Sequence, residues 1–161
     1  MGATRHPTDE ETPVIIRELR PADLTELLRL YQQLNPDDPV PDPLQARAVW
    51  DQIESDHSLF YFGGFTDSTL VATCNLAVIP NLTRSCRSFG VMENVVTDQP
   101  FRHQGYGQQV VAAALAKAWE MGCYKVMLQT SRKTDAVLGF YRACGFSADE
   151  KQAFIARRPP P

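Results

Sequence analysis

The sequence predicts an α/β domain, one mixed β-sheet with helices packed on it. Three observations lead there. Apolar runs of strand length alternate with amphipathic stretches of helical period, in the order β, α, α, three strands, then α, β, α and a final strand pair. The three consecutive strands are joined by short connections and so pair antiparallel, whereas the later β-α-β unit calls for a parallel crossover. The 161 residues, 43% of them hydrophobic, suit a single core. The expected layout is a polar lead-in over residues 1–12, read as flexible, and one domain over 13–158.

"VIIRELR", Val14 to Arg20, is rich in β-branched residues and reads as the first strand. In "PADLTELLRLYQQL", Leu24, Leu27, Leu28, Tyr31 and Leu34 fall at helical spacing, and Pro21 suits a first turn because its missing N–H is not needed there. "NPDDPVPDP" breaks the pattern, since a proline disfavours helix in the residue before it. A second helix follows over roughly Leu44 to Glu54, with Val49, Trp50 and Ile53 as its apolar residues. The next three strands are "SLFYFGGF", "TLVATCNLAVI" and "SFGVMENVVT", linked by the turns "TDS" and "PNLTRSCR". A long helix spans Gly105 to Met121, its expected apolar face formed by Val111, Leu115, Ala118 and Trp119, with Gly122 ending it in a left-handed conformation. "YKVMLQT" is a short buried strand. "TDAVLGFYRACGF" holds a last helix, opened by Thr134 or Asp135 and closed at Gly145. A closing strand pair is expected around Phe146 and "AFIA".

Composition narrows the function. The net charge of −3 comes from mixed signs with no basic block, which argues against nucleic-acid partners. No apolar segment approaches the roughly 20 residues that span a bilayer. "MGATRHPTDEETP" lacks the apolar core of a signal peptide, and Arg5-His6 stands where a myristoylation signal ends in Ser or Thr. Cys74, Cys86, Cys123 and Cys144 are widely spaced, without a Cys-x-x-Cys pair or a His cluster, so reduced thiols, a cytoplasmic location and no metal are expected.

"RHQGYG", Arg102 to Gly107, is the distinctive stretch. A helix N-terminus offers unpaired N–H groups and the positive end of a dipole, both suited to an anion. Gly105 and Gly107 lack side chains that would hold a phosphate away, and Arg102 adds a charge at the entrance. A Rossmann fingerprint wants a third glycine where this chain has Val110 and an acid where it has Gln129, and a P-loop needs Gly-Lys-Ser/Thr. A phosphate cradle of another kind remains, beside a plain glycine-rich helix start that binds nothing. Tyr141 lies on a helix that flanks the same strand ends, where it is either a ligand contact or a core residue with its hydroxyl satisfied.

"ENVVTDQPFRHQGYGQQVVAAAL" with "GCYKVMLQTSRKTDAVLGFYRACGF" resembles the acyl-CoA-binding half of the GNAT superfamily of N-acetyltransferases, densely from about Met92 to Phe146. "GCYK" and "GFYRACGF" are most similar to the small-molecule members that acetylate glucosamine 6-phosphate. The resemblance implies a GNAT-like fold, a central mixed sheet with a splayed parallel pair and about four helices. It also implies acetyl-CoA as cosubstrate, a small-molecule primary amine as acceptor, direct attack in a ternary complex, and a homodimer, since many members pair. The backbone of Val95, Val96 and Thr97 would pair with the pantetheine arm. That of His103, Gln104, Gly105, Tyr106, Gly107 and Gln108 would cradle the pyrophosphate, with Arg102 at a matching Gln/Arg position. Tyr141 would stand beside the sulfur. Thr134 replaces an Asn frequent in the family, and either bonds the cofactor arm or caps the helix.

Amine acetylation needs a base, and Glu93, just before the pantetheine-pairing segment, is the candidate; the alternative is a solvent-facing strand acid, with Asn94 on the opposite face. Tyr141 would protonate the departing thiolate or hydrogen-bond to it, and a strand N–H near Val95 would meet the carbonyl oxygen. Cys144 is read as packing. The acceptor's charge stays open between an acidic loop (Asp37, Asp38, Asp42) and a basic turn (Arg84, Arg87). Two rival functions stand beside the enzyme: a silent acyl-CoA-binding or regulatory module, and a protein or peptide N-acetyltransferase.

Overall fold

A computed structural model describes residues 13–160. The expected flexible segment over 1–12 lies outside the described residues. Five strands form one sheet in sequence order: β1 (Ile15–Glu18), β2 (Leu59–Thr66), β3 (Thr69–Ile79), β4 (Phe89–Thr97) and β5 (Val126–Leu128). The first three pairings are antiparallel and β4–β5 is parallel, so the mixed sheet is as the sequence predicts.

The helices are α1 (Leu24–Leu34), α2 (Pro43–Ser55), the four-residue turn α3 (Thr83–Cys86), α4 (Tyr106–Glu120) and α5 (Asp135–Ala143). Pro21 opens a 3-10 turn rather than α1 itself, and Asp23 accepts the Arg20 N–H at 2.7 Å. Asp42 caps α2 by accepting the Leu44 and Gln45 N–H groups, both at 3.0 Å. Gly122, at φ 75°, ends α4 left-handed as expected.

Two apolar cores lie on opposite faces of the sheet. Val110, Val111, Ala114 and Ala118 of α4 pack on Phe62, Cys74, Leu76 and Met92, and Phe140 of α5 joins them. Leu27 and Leu30 of α1 and Trp50 of α2 pack on Phe65, Leu70 and Val96 on the other face. The buried face of α4 follows the residues at 110, 111, 114 and 118. Trp119 lies about 100° further round and is 51% exposed, which corrects its expected place on the apolar face.

The expected strand pair around Phe146 and 153–156 is absent among the described residues. Phe154 and Ile155 are adjacent, so a strand would send them to opposite faces, and both are exposed, at 88% and 68%. A four-residue apolar word that can bury only half its bulk gives little return for ordering the backbone.

Candidate active site

The parallel pair comes apart where the site begins. β4 and β5 are in register at Gly90–Val126, Val91–Met127 and Met92–Leu128, after which β4 runs on through Thr97 paired only to β3. The gap is a cleft of about 700 Å³ between Glu93–Thr97, the segment after β5, the start of α4 and one face of α5.

The strand adds a feature its sequence does not announce. Between the Thr73–Val96 and Asn75–Glu93 pairs, β4 carries one more residue than β3, a β-bulge, and Asn94 takes a left-handed φ of 52°. The bulge breaks the alternation of faces. Asn94 borders the cleft together with Glu93, and its amide donates to Asn75 Oδ1 at 3.0 Å.

Most of the residues singled out in the sequence meet in this cleft. Val95, Val96 and Thr97 form one wall, while Arg102, His103, Gly105, Tyr106, Gly107 and Gln108 form the floor at the helix start. His103 (φ 63°) and Gly105 (φ 82°) are both left-handed, a curl of the kind that can turn successive backbone N–H groups toward an anion. The first-turn N–H groups of α4 have no carbonyl to meet within the helix. Gln104 lies aside, its amide donating to the Pro100 carbonyl at 3.2 Å, and the Arg102 guanidinium donates to the Thr97 carbonyl at 3.1 Å. Thr134 Oγ1 accepts the Val137 N–H at 3.4 Å, the capping role of its two alternatives.

The two glycines differ in what they do. A Cβ at Gly105 would meet nothing within 4 Å, so this residue serves its left-handed backbone. A Cβ at Gly107 would sit 2.8 Å from Thr97 Oγ1 and 3.3 Å from the Phe140 ring. Gly107 thus permits close packing of α4 against two walls of the cleft. Gly107→Val is expected to cost about 1–3 kcal/mol by overpacking and to weaken cofactor binding by displacing those walls. Thermal denaturation read beside a binding titration checks both; an unchanged melting temperature contradicts the packing assignment.

Glu93 and Tyr141 face one cleft from opposite sides. Loss of water around Glu93 pushes its carboxyl above the ordinary range. Tyr141 is raised as well, first by burial, then by Cys144 and by the Glu93 charge. Its ring is held edge-on by Phe140 (centroids 5.1 Å apart) and Phe146 (6.2 Å). Burial pushes the Cys74 thiol up to about 12 and raises Cys144, so neither favours the thiolate form.

The two acceptor readings both change. Arg84 and Arg87 belong to the β3–β4 connection, at the Phe89 end of β4, and lie 5.9 and 5.8 Å from the centre of the Tyr124 ring; they do not border the cleft. Asp42 is occupied as a helix cap, and Asp37 and Asp38 are exposed, so Asn35 is what this loop contributes to the cleft wall. Sequence reasoning missed Arg132, in the segment between β5 and α5. It lines the cleft and reaches the Leu34 carbonyl at 3.4 Å. Nothing periodic or motif-like in "TSRKTD" marks it. Asn94 and Gln33 were missed as well, because neither a bulge nor the packing of α1 on the strand end leaves a signal in the local pattern.

The sequence profile described as the acetyltransferase (GNAT) family matches residues 26–146. The chain belongs to that family. It is similar to a glucosamine 6-phosphate N-acetyltransferase 1 of Oryza sativa subsp. japonica, 32% identical over 135 residues covering 81% of this chain and 79% of the relative. A glucosamine 6-phosphate N-acetyltransferase of Trypanosoma brucei brucei is 36% identical over 83 residues, 52% of this chain; the match spans about half, 54%, of that relative. Among solved structures, one from Agrobacterium tumefaciens str. C58 described as an acetyltransferase superposes with a TM-score of 0.85 at 42% identity, over 89% of this chain and 99% of the other. The Arabidopsis thaliana glucosamine-6-phosphate N-acetyltransferase gives 0.78 at 26% identity, over 89% and 98%. The GNAT fold expected from the sequence, splayed parallel pair included, is borne out. Among the described residues no helix is long and apolar enough to cross a membrane, and no group of metal-ligating side chains occurs.

Proposed function

We propose that this GNAT chain transfers the acetyl group of acetyl-CoA to the primary amine of a small molecule by direct attack in a ternary complex. The observation that carries the reading is the convergence of Glu93, Tyr141 and the left-handed glycine loop on one cleft. The fit to the cosubstrate is chemical. Free first-turn N–H groups and Arg102 suit a pyrophosphate, and the Glu93–Thr97 edge, unpaired on the β5 side, suits an amide-bearing arm.

Glu93 would take a proton from the ammonium form of the acceptor, directly or through water, a task its raised pKa favours. The freed lone pair forms the new C–N bond at the thioester carbonyl as the C–S bond breaks, and the nitrogen then sheds its second proton to water to leave the neutral amide. A backbone N–H near the bulge would meet the oxygen that gains charge. Tyr141, kept protonated by burial, would give its proton to the departing sulfur and regain one from solvent. No acyl-cysteine is needed, in keeping with the raised Cys74 and Cys144 thiols.

For the acceptor, the reading is an amino sugar bearing an anionic group, as in glucosamine 6-phosphate. The relatives' names support it, and so does Arg132, a cation in the cleft wall that would meet a phosphate while Glu93 meets the amine. The test is calorimetric titration with acetyl-CoA, with NADH and ATP as controls, followed by an acceptor screen. Selective micromolar binding of acetyl-CoA and faster acetylation of glucosamine 6-phosphate than of glucosamine are expected. Binding without turnover would leave an acyl-CoA-binding module; no binding would remove the reading.

A further inference from the structure

The loop that would hold the pyrophosphate does not hold itself. Its own side-chain bonds are local, Arg102 to Thr97 and Gln104 to Pro100, and two of its residues are left-handed. Left-handed residues other than glycine persist where the surroundings over-determine them. The surroundings here act through Asp98, the residue at which β4 turns into the loop.

Asp98 is 5% exposed and is the one acidic side chain among the buried residues described. Its Oδ2 accepts from Arg29 Nη1 at 2.7 Å and its Oδ1 from Gln33 Nε2 at 2.8 Å, both donors standing on α1. Arg29 Nη2 also donates to the Leu70 carbonyl at 2.9 Å, and Gln33 Oε1 accepts the Gln99 N–H at 3.1 Å. The backbone of Asp98 is engaged too: its N–H donates to the Val71 carbonyl and its carbonyl accepts the Phe101 N–H, each at 2.8 Å. The residue is fixed on one side to α1 and β3 and on the other to the loop. Gln33, Leu34 and Asn35 continue from the same clamp into the cleft wall opposite β5.

We propose that Asp98, gripped by Arg29 and Gln33, is a positioning residue that pre-orders the Gln99–Gly105 loop for the phosphates of acetyl-CoA, tying it to the helix that ends at the acceptor side of the cleft. This rests on the acetyl-CoA reading above. A loop already in its binding conformation loses no ordering entropy when the ligand arrives, so the clamp acts on affinity rather than on the chemical step. It touches neither reacting atoms nor ligand.

Asp98→Asn preserves shape but offers one acceptor oxygen where the clamp uses two, leaving the guanidinium or the Gln33 amide facing an NH2 group. Hydrogen bonds to charged groups of this kind correspond to about tenfold or more in an equilibrium constant. The experiment titrates acetyl-CoA calorimetrically into the wild-type chain and the variant, with melting temperature and kcat at saturating acetyl-CoA measured alongside. A Kd at least about tenfold weaker in Asp98→Asn, with kcat within about threefold of wild type, supports the positioning role. A lowered melting temperature with an unchanged Kd overturns it, as does a fall in kcat at constant Kd. If Asp98→Asn does not fold, Gln33→Ala removes one arm of the clamp and is expected to weaken binding by roughly threefold to tenfold; an unchanged Kd there overturns the proposal equally. Failure of the wild-type chain to bind acetyl-CoA overturns the cosubstrate reading and the clamp together, which separates that failure from one confined to the variants.

Discussion

Tyr141→Phe lowers kcat by about two to four orders of magnitude while the Kd for acetyl-CoA stays within a few-fold of wild type, the range expected when a positioned general acid is removed. The substitution deletes one oxygen and keeps the ring, so the edge-on contacts with Phe140 and Phe146 survive and the cleft keeps its shape. In the proposed mechanism, what is lost is a proton for the sulfur. The phenol suits that role because burial, with Cys144 and Glu93 adding to it, raises its pKa and keeps the proton in place until a thiolate develops. Stopped-turnover assays beside binding titrations separate the two effects. Joint loss of affinity and turnover would make Tyr141 a binding residue and leave the acid unidentified.

Glu93→Gln is expected to lower kcat/KM by about 10²-fold or more near neutral pH and to alter the shape of the pH profile. As the proposed base, Glu93 would work only when deprotonated, so wild-type activity is expected to fall as pH drops through the Glu93 pKa. Desolvation raises that pKa, placing the acid limb above the range near 4.3 of an ordinary glutamate. The amide cannot titrate, so this limb disappears in the variant, leaving the ionisation of the amine itself. Persistence of the same limb in Glu93→Gln would move the base to another group or to a water chain without Glu93.

The Asp98 pKa moves in the opposite direction. Burial pushes its carboxyl up, but hydrogen bonds from Gln33 and Arg29, with the Arg29 charge, outweigh burial and hold it below the usual range. Its folded pKa lies below its unfolded one. The stabilisation is therefore present above about pH 4 and is lost as pH falls through the depressed value. The acid limb of Glu93 lies higher, so the two groups do not report in the same window.

Much of this protein was legible as local pattern. Helical spacing from Leu24 to Leu34 and the β-rich runs at 59–66, 69–79 and 89–97 set element type, because burial on one face imposes a period wherever it occurs. The same locality gave Gly122 as a helix end and placed the glycine loop at the start of α4. Family resemblance in the Met92–Phe146 stretch then supplied Glu93 and Tyr141, and the structure brings them to one cleft.

The tertiary structure decided what depends on neighbours distant in sequence. The bulge at Asn94 exists only relative to β3, and it interrupts the alternation of faces along the strand that borders the cleft. Gly107 is small because Thr97 and Phe140 press on it, a constraint that no property of "GYG" encodes. Arg84 and Arg87 proved to lie at the far end of β4, while Arg132, unmarked in the sequence, came to the cleft. Asp98 meets Arg29 and Gln33 across 69 and 65 positions of chain. Periodicity reports which face of an element is buried; only the assembled sheet reports what stands against it.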